Sequence, residues 1–143
     1  MPSVQSTCAQ VTSWLIGIRS ADQLTTHPLR SSLFETFIIG ELIKSRFNQG
    51  EKADLFFWKD SNGNEVDIIA EQSGRLVPLE IKSGKTISSD STKGLKKYMS
   101  LAVRDAITPT LIYGGSDNYN KQDIHITSWK KSGTILKGDH CEE

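Results

Sequence analysis

A chain of 143 residues with zero formal net charge, 36% of it hydrophobic and 24% charged, is long enough for one domain with a real core and too short for two. Neutrality argues against a generic nucleic-acid coat protein. Cys8 and Cys141 lie near opposite ends without partner spacing, which indicates neither a disulfide framework nor a zinc site and fits a reducing, cytoplasmic location.

The residues before Ile18 have no basic segment, and their apolar run is too short and interrupted for a signal or a membrane span. They read as a short helix over 11–18, entered at Ser6 or Thr7, with a polar connection over 20–27. His27-Pro28 marks a boundary, because a residue before proline avoids the helical region. Ser31 or Ser32 can cap a main helix running to about Asn48 with Gly50 beyond its end, and Glu35 stands in capping-box position after Ser32. Leu33, Phe34, Phe37, Ile38, Leu42 and Phe47 spread around the wheel, so this helix should be mostly buried. A strand over 55–59 follows, with Asp60-Ser61-Asn62-Gly63 as its turn. Phe56, Phe57 and Trp58 read as core rather than a base-stacking platform, as do Tyr113, Tyr119 and Trp129. Two apolar runs, 65–70 and 76–82, flank Gln72-Ser73-Gly74, a hairpin signal. A loop over 86–90, a helix over 91–103, a strand from Pro109 to Tyr113 ended by Gly114-Gly115, and a strand over 124–129 complete the order. The tail from Lys130 is polar and reads as frayed. The reading is a single domain over 1–143 with its core over about 14–130 and a polar tail over 131–143. Its class is α/β, a mixed sheet of about five strands flanked by helices.

Chemistry concentrates on the hairpin. Side chains alternate on a strand, so Glu80 and Lys82 share one face while Val77, Leu79 and Ile81 share the other. Asp67 lies on the neighbouring strand, with Val66 and Ile68 expected to point the opposite way. An unpaired buried charge costs several kcal/mol, so such a cluster persists when its members bind a metal or each other. Asp67, Glu80 and the carbonyl of Ile81 match the hard oxygen ligands that Mg²⁺ or Mn²⁺ takes, and such an ion activates water against a phosphodiester. Lys82, ~6.6 Å along the strand from Glu80, is placed to orient that water. A plain salt bridge between Lys82 and one carboxylate is the competing reading. Glu35 and Glu41 both sit among apolar neighbours; Glu35 is a cap or a site residue, and Glu41 a partner for Arg46 or a support for the site.

Charge is unevenly spread. From Glu51 to Glu80 seven acidic residues face three basic ones, whereas from Lys82 to Arg104 six basic residues face Asp90 alone. Lys85, Lys93, Lys96 and Lys97 are the candidate nucleic-acid contacts, against the alternative of a solvated lysine face. Ser83-Gly84-Lys85-Thr86 copies the end of a phosphate loop, but its first glycine position is Leu79. His27, His125 and His140 have no ligand spacing to one another.

An Asp on one strand followed about a dozen residues later by Glu-x-Lys on the next resembles the PD-(D/E)XK nuclease motif, to which that superfamily adds an upstream helical Glu, here Glu35. The strings LFETFIIGELIK, FFWKDSNGNEVDII and LVPLEIKSGK are similar to the nuclease-like domain at the C-terminal end of many bacterial and archaeal AAA-type ATPases, over about 14–129. The resemblance implies a restriction-endonuclease-like fold and a divalent-metal-dependent nuclease acting on DNA. Glu35, Asp67, Glu80 and Lys82 would be catalytic, with the metal at Asp67, Glu80 and Ile81. It also implies an ATPase domain or partner, leaves a homodimer open, and gives no membrane role. A non-catalytic DNA- or partner-binding regulatory module on the same fold is the alternative, and a purely structural salt-bridge network is a third. No ATPase half is present in the sequence, so a stand-alone relative and a piece of a longer chain both stay open.

Overall fold

The computed structural model describes residue 17 and residues 19–102 and 106–137; all of the expected helix over 11–18 except Gly17, its Ser6 and Thr7 entry, Cys8, Cys141 and His140 lie outside these. Within them the chain runs through helix α1 (Ala21–Thr26), helix α2 (Arg30–Asn48), strands β1 (Leu55–Lys59), β2 (Glu65–Gln72) and β3 (Arg75–Lys82), a 3-10 turn (Ser89–Thr92), helix α3 (Lys93–Leu101), strands β4 (Thr110–Tyr113), β5 (Tyr119–Lys121) and β6 (Ile124–Ser128), and a 3-10 helix (Trp129–Thr134). The strands form one six-stranded sheet ordered β1-β2-β3-β4-β6-β5. β1, β2 and β3 are antiparallel, β3, β4 and β6 run parallel, and β5 returns antiparallel on β6.

Alternation of apolar residues along the central strands builds two cores, one per face. On one face α2 buries Ile38 and Leu42 against Ile68, Leu79, Ile81 and Ile112, with Leu136 closing the edge. On the other, α3 buries Leu95 and Tyr98 against Val66, Ile69, Leu111 and Ile126. Pro78 lies inside β3 without breaking it. The Ile81 amide points at β2, so alternation turns position 78 towards β4, whose ladder with β3 begins only at Leu79 and Thr110. The β2–β3 turn is the two-residue Ser73-Gly74, both with positive φ (53° and 75°), as a twisted hairpin requires.

Several expectations are corrected. Residues 20–27 are not plain connection: Ser20 Oγ accepts from the Gln23 amide and Gln23 Oε1 from the Arg19 amide, which starts α1. α2 begins at Arg30, before either serine; Leu29 is its N-cap without a side-chain bond, and the His27 imidazole instead accepts from the Leu29 amide. Glu35 is therefore no capping-box residue. Nor is α2 mostly buried: only Ile38, Leu42, Ser45 and Arg46 are, and Phe47 is 61% exposed. Phe56 and Phe57 are also surface residues, at 58% and 62% exposure, because β1 is the edge of the sheet; Tyr119 is likewise exposed, on the other edge. Trp58 and Trp129 do pack, edge-on to Tyr98 and Phe37. The 91–103 helix starts as the 3-10 turn, and Val103 lies outside the described residues. β5 is a sixth strand that the sequence reading lacks. The tail does not begin at Lys130 either: Ser128 Oγ accepts from the Lys130 amide to start a 3-10 helix, and Ser132 and Leu136 beyond it are buried.

Candidate functional site

The Asp67 backbone is set by a bulge. β1 and β2 pair as Phe56 with Ile69 and Trp58 with Val66, so two residues of β2, Asp67 and Ile68, stand opposite Phe57 alone. Val66 accordingly belongs to the α3-side core and Ile68 to the α2-side core, which corrects the expectation that both point the same way. The bulge turns Asp67 into the seam with β3. Ladder pairing of β2 and β3 stops at Ile68 and Leu79, and past it Asp67 Oδ2 accepts from the Ile81 amide at 2.8 Å. The carboxylate thus takes the place of a ladder carbonyl, one step from Glu80.

Glu80 is buried, 5% exposed, at the inner end of this seam. Lys82, on the same face as expected, holds Glu80 Oε1 at 2.5 Å. The other oxygen, Oε2, is buried without a protein partner. Burial first, then the charge of Asp67, push the Glu80 carboxyl up to about 7, against the opposing pull of Lys82. Burial also raises Asp67, opposed by its bond from Ile81 and the Lys82 charge. For Lys82, burial pulls downward, but Glu80, Asp67 and Glu65 together outweigh it and the net shift is upward. The Lys82 ammonium therefore stays charged beside two carboxyl groups whose ionisation burial opposes.

Glu35 reaches the same field from α2. It is half-buried, and burial followed by Asp67 raises its carboxyl while Lys82 lowers it. The structure thus brings Glu35, Asp67, Glu80 and Lys82 into one electrostatic group. Glu65 belongs to it as well: it raises Glu35, Asp67 and Lys82 alike, and its i, i+2 spacing from Asp67 on the strand was the available signal. Ile81 is tied to the group through its amide. Among the described residues no three His, Cys, Asp or Glu side chains close into a metal cage. The donor set is a two-carboxylate one, which suits a cation that keeps most of its water, and Glu80 Oε2 is its buried oxygen without a hydrogen-bond partner. On that observation the residues fit Mg²⁺ or Mn²⁺.

The end of β3 is fastened from two sides. Arg30 Nη2 donates to the Ser83 carbonyl at 3.2 Å and the Ser31 and Ser83 hydroxyls bond at 2.9 Å. From β4, the Gly114 amide bonds the carbonyls of Lys82 and Gly84 at 3.0 Å each. These anchors were not visible as site residues in the sequence, since they lie 52 and 53 positions from their partners. Glu41 does not support the site: it pairs with Lys44 at 2.6 Å, while Arg46 pairs with Glu51 and donates to the Glu71 carbonyl.

The four candidate phosphate contacts divide. Lys85 is exposed just past Gly84. Lys93 is exposed, 3.5 Å from Asp90, and adjoins Gly94, where an added Cβ would stand 1.9 Å from the Glu65 carbonyl. The start of α3 therefore rests against the acidic group. Lys96 bonds Gln122 at 2.8 Å, and Lys97 faces the β1–β2 turn, where it helps lower Asp60 after the dominant hydrogen bonds from Asn64. Lys85 and Lys93 flank the site, and Lys96 and Lys97 diverge from each other.

A family profile described as a domain of unknown function (DUF4143) matches residues 30–131, a family that is commonly a C-terminal domain of AAA-type ATPases. No curated protein and no solved structure matches the chain. Among the described residues no helix is long and apolar enough to cross a membrane.

Proposed function

The chain belongs to the DUF4143 family, and from that premise we propose that it is a divalent-metal-dependent nuclease hydrolysing phosphodiester bonds of DNA, of the PD-(D/E)XK kind. The observation that carries this reading is the buried, unpartnered Glu80 Oε2 beside Asp67. Two adjacent carboxyls with one ammonium leave a carboxyl that ionises fully only when a further positive charge stands beside it, an arrangement a fold has no structural reason to keep. Asp67 and Glu80, with the Ile81 carbonyl, would hold Mg²⁺ or Mn²⁺. When bound, that ion would neutralise phosphate charge and acidify a water.

The chain's own groups supply the rest. Lys82, held charged by Glu80, is positioned to stabilise negative charge developing on the phosphate. The Ile81 amide fixes Asp67, and the anchors at Ser83 fix the strand end, so the site is oriented before substrate arrives. Glu35, with its raised carboxyl, is placed to exchange a proton with a water at the edge of the group. Lys85 and Lys93 offer charge to the backbone of the nucleic acid.

Incubation with linear and circular DNA in Mg²⁺ or Mn²⁺ tests this. Cleavage should appear in the wild type and disappear in both Asp67→Ala and Glu80→Ala; cleavage that survives both would overturn it. The family's common place at the C-terminal end of AAA-type ATPases favours a second reading, a non-catalytic DNA- or partner-binding regulatory module of an ATPase system. In that case DNA or ATPase binding would be indifferent to Asp67→Ala and Lys82→Ala, and no product would form.

A further inference from the structure

β1 is the outermost strand of the sheet, and among the described residues no other strand pairs with its free side. Its ladder with β2 fixes which backbone groups face outward. The Asp54 carbonyl accepts from the Glu71 amide at 3.3 Å, and the Asp60 amide donates to the Asn64 carbonyl at 2.9 Å. In an antiparallel ladder every second residue bonds to the same neighbour. Phe56 and Trp58 therefore bond to β2, while Leu55, Phe57 and Lys59 turn their N–H and C=O groups to the open side.

The side chains of this edge are apolar on both faces. Leu55 packs in the α2-side core and Trp58 in the α3-side core. Alternation then puts Phe57 on the α2 side and Phe56 on the α3 side, at 62% and 58% exposure. A helix or a flat ligand laid on one face of the sheet leaves the aromatic of the other face in water. A further strand added to the edge takes up the outward backbone groups and sets side chains beside both rings at once. The opposite edge is protected in the ordinary way, since β5 is three exposed residues ending in Lys121. β1 is longer and carries its one charge at its last residue, Lys59.

We infer that β1 pairs antiparallel with β1 of a second copy, about a two-fold axis through Phe56, and so joins two six-stranded sheets edge to edge. Such a contact is isologous, so the strand must be complementary to itself. About Phe56 it is. Leu55 and Phe57, both facing outward, stand opposite Phe57 and Leu55 of the second copy and exchange four backbone hydrogen bonds. The two Phe56 rings meet on the α3 side, and at each end Lys52 is led towards Asp60 of the second copy. Shifting the axis to Phe57 would instead set Asp54 against Asp60 at both ends and Leu55 against Lys59, so charge selects the first register. The contact uses none of the carboxylate group and is independent of any nuclease activity.

Sedimentation equilibrium of the full chain tests the pairing from about 5 μM to about 500 μM, the range in which so small an interface associates. The mass should rise from one chain to two and stop there. Phe56→Lys, which sets two ammonium groups face to face at the axis, should raise the dissociation constant by about tenfold or more. Phe57→Lys gives the same reading if Phe56→Lys fails to fold. Oxidation of cysteine variants in a Cys8→Ser, Cys141→Ser background reads the register. Phe56→Cys should yield a covalent dimer, its two Cα atoms lying about 4.5 Å apart across the axis. Phe57→Cys should cross-link poorly, because the two copies of that position lie roughly 8 Å apart on the diagonal. A chain that stays monomeric leaves the edge to some other partner and overturns the inference. So would growth past the dimer, a dimer that neither lysine variant weakens, or failure of Phe56→Cys to cross-link faster than Phe57→Cys.

Discussion

Burial of the Glu80 carboxyl ties the stability of the fold to pH. Its pKa in the fold is about 7, against an ordinary 4.5. A raised carboxyl contributes stability that is fully present below about 4.5 and is lost as pH rises through about 7, because the unfolded chain ionises first. At roughly 1.4 kcal/mol per unit the loss amounts to about 3 kcal/mol. Urea unfolding of the metal-free protein should show stability falling from pH 4.5 to 8, whereas Glu80→Gln should be flatter and more stable than wild type at pH 8. Equal slopes for the two would show that Glu80 is not the buried charge. Mg²⁺, by binding only the folded ionised form, should restore part of the loss at pH 8. The Glu-x-Lys pair and Asp67 were legible as residues because strand alternation alone puts Glu80 beside Lys82. The shift itself was not, since it depends on a burial that no local pattern reveals.

At the scale of elements, the hairpin and main helix were readable and their refinements were not. Asn48 followed by Gly50, and Ser73-Gly74, are local signals with local causes. The bulge at Asp67 is set by pairing with β1, and no residue in Glu65-Val66-Asp67-Ile68 announces it. β5 escaped notice for a similar reason. Its turn, Gln122-Asp123, takes φ of 49° and 62° without a glycine, and Tyr119-Asn120-Lys121 has no apolar alternation. The end of β3 depends on a close approach: a Cβ at Gly114 would stand 2.3 Å from the Ser83 carbonyl. Gly114→Ala should therefore destabilise the fold by about 1–3 kcal/mol and shift the amides of Lys82 and Ser83. Amides left in place, with unchanged stability, would mean that the strand end is not held by this contact.

Across the whole molecule, a two-faced mixed sheet follows from continuous apolar strands, and that class was evident from the order of elements. What the sequence concealed is which strand lies outermost. Leu55-Phe56-Phe57-Trp58 reads as core in isolation, yet as the sheet edge it leaves Phe56 and Phe57 in solvent, the arrangement that natural edges usually avoid. Phe57→Ser should change unfolding stability by less than about 0.5 kcal/mol while lowering self-association on concentration; a loss of several kcal/mol would place Phe57 in a core after all.

Whether the Asp67–Glu80 seam holds a cation decides between a nuclease site and a structural ion pair. Calorimetric titration of Mn²⁺ at pH 7, in two buffers of different ionisation enthalpy, measures binding and proton release together. The prediction is saturable binding to the wild type with a proton displaced from Glu80, and loss of both in Asp67→Ala. Absence of saturable binding, or binding that Asp67→Ala leaves unchanged, would contradict it.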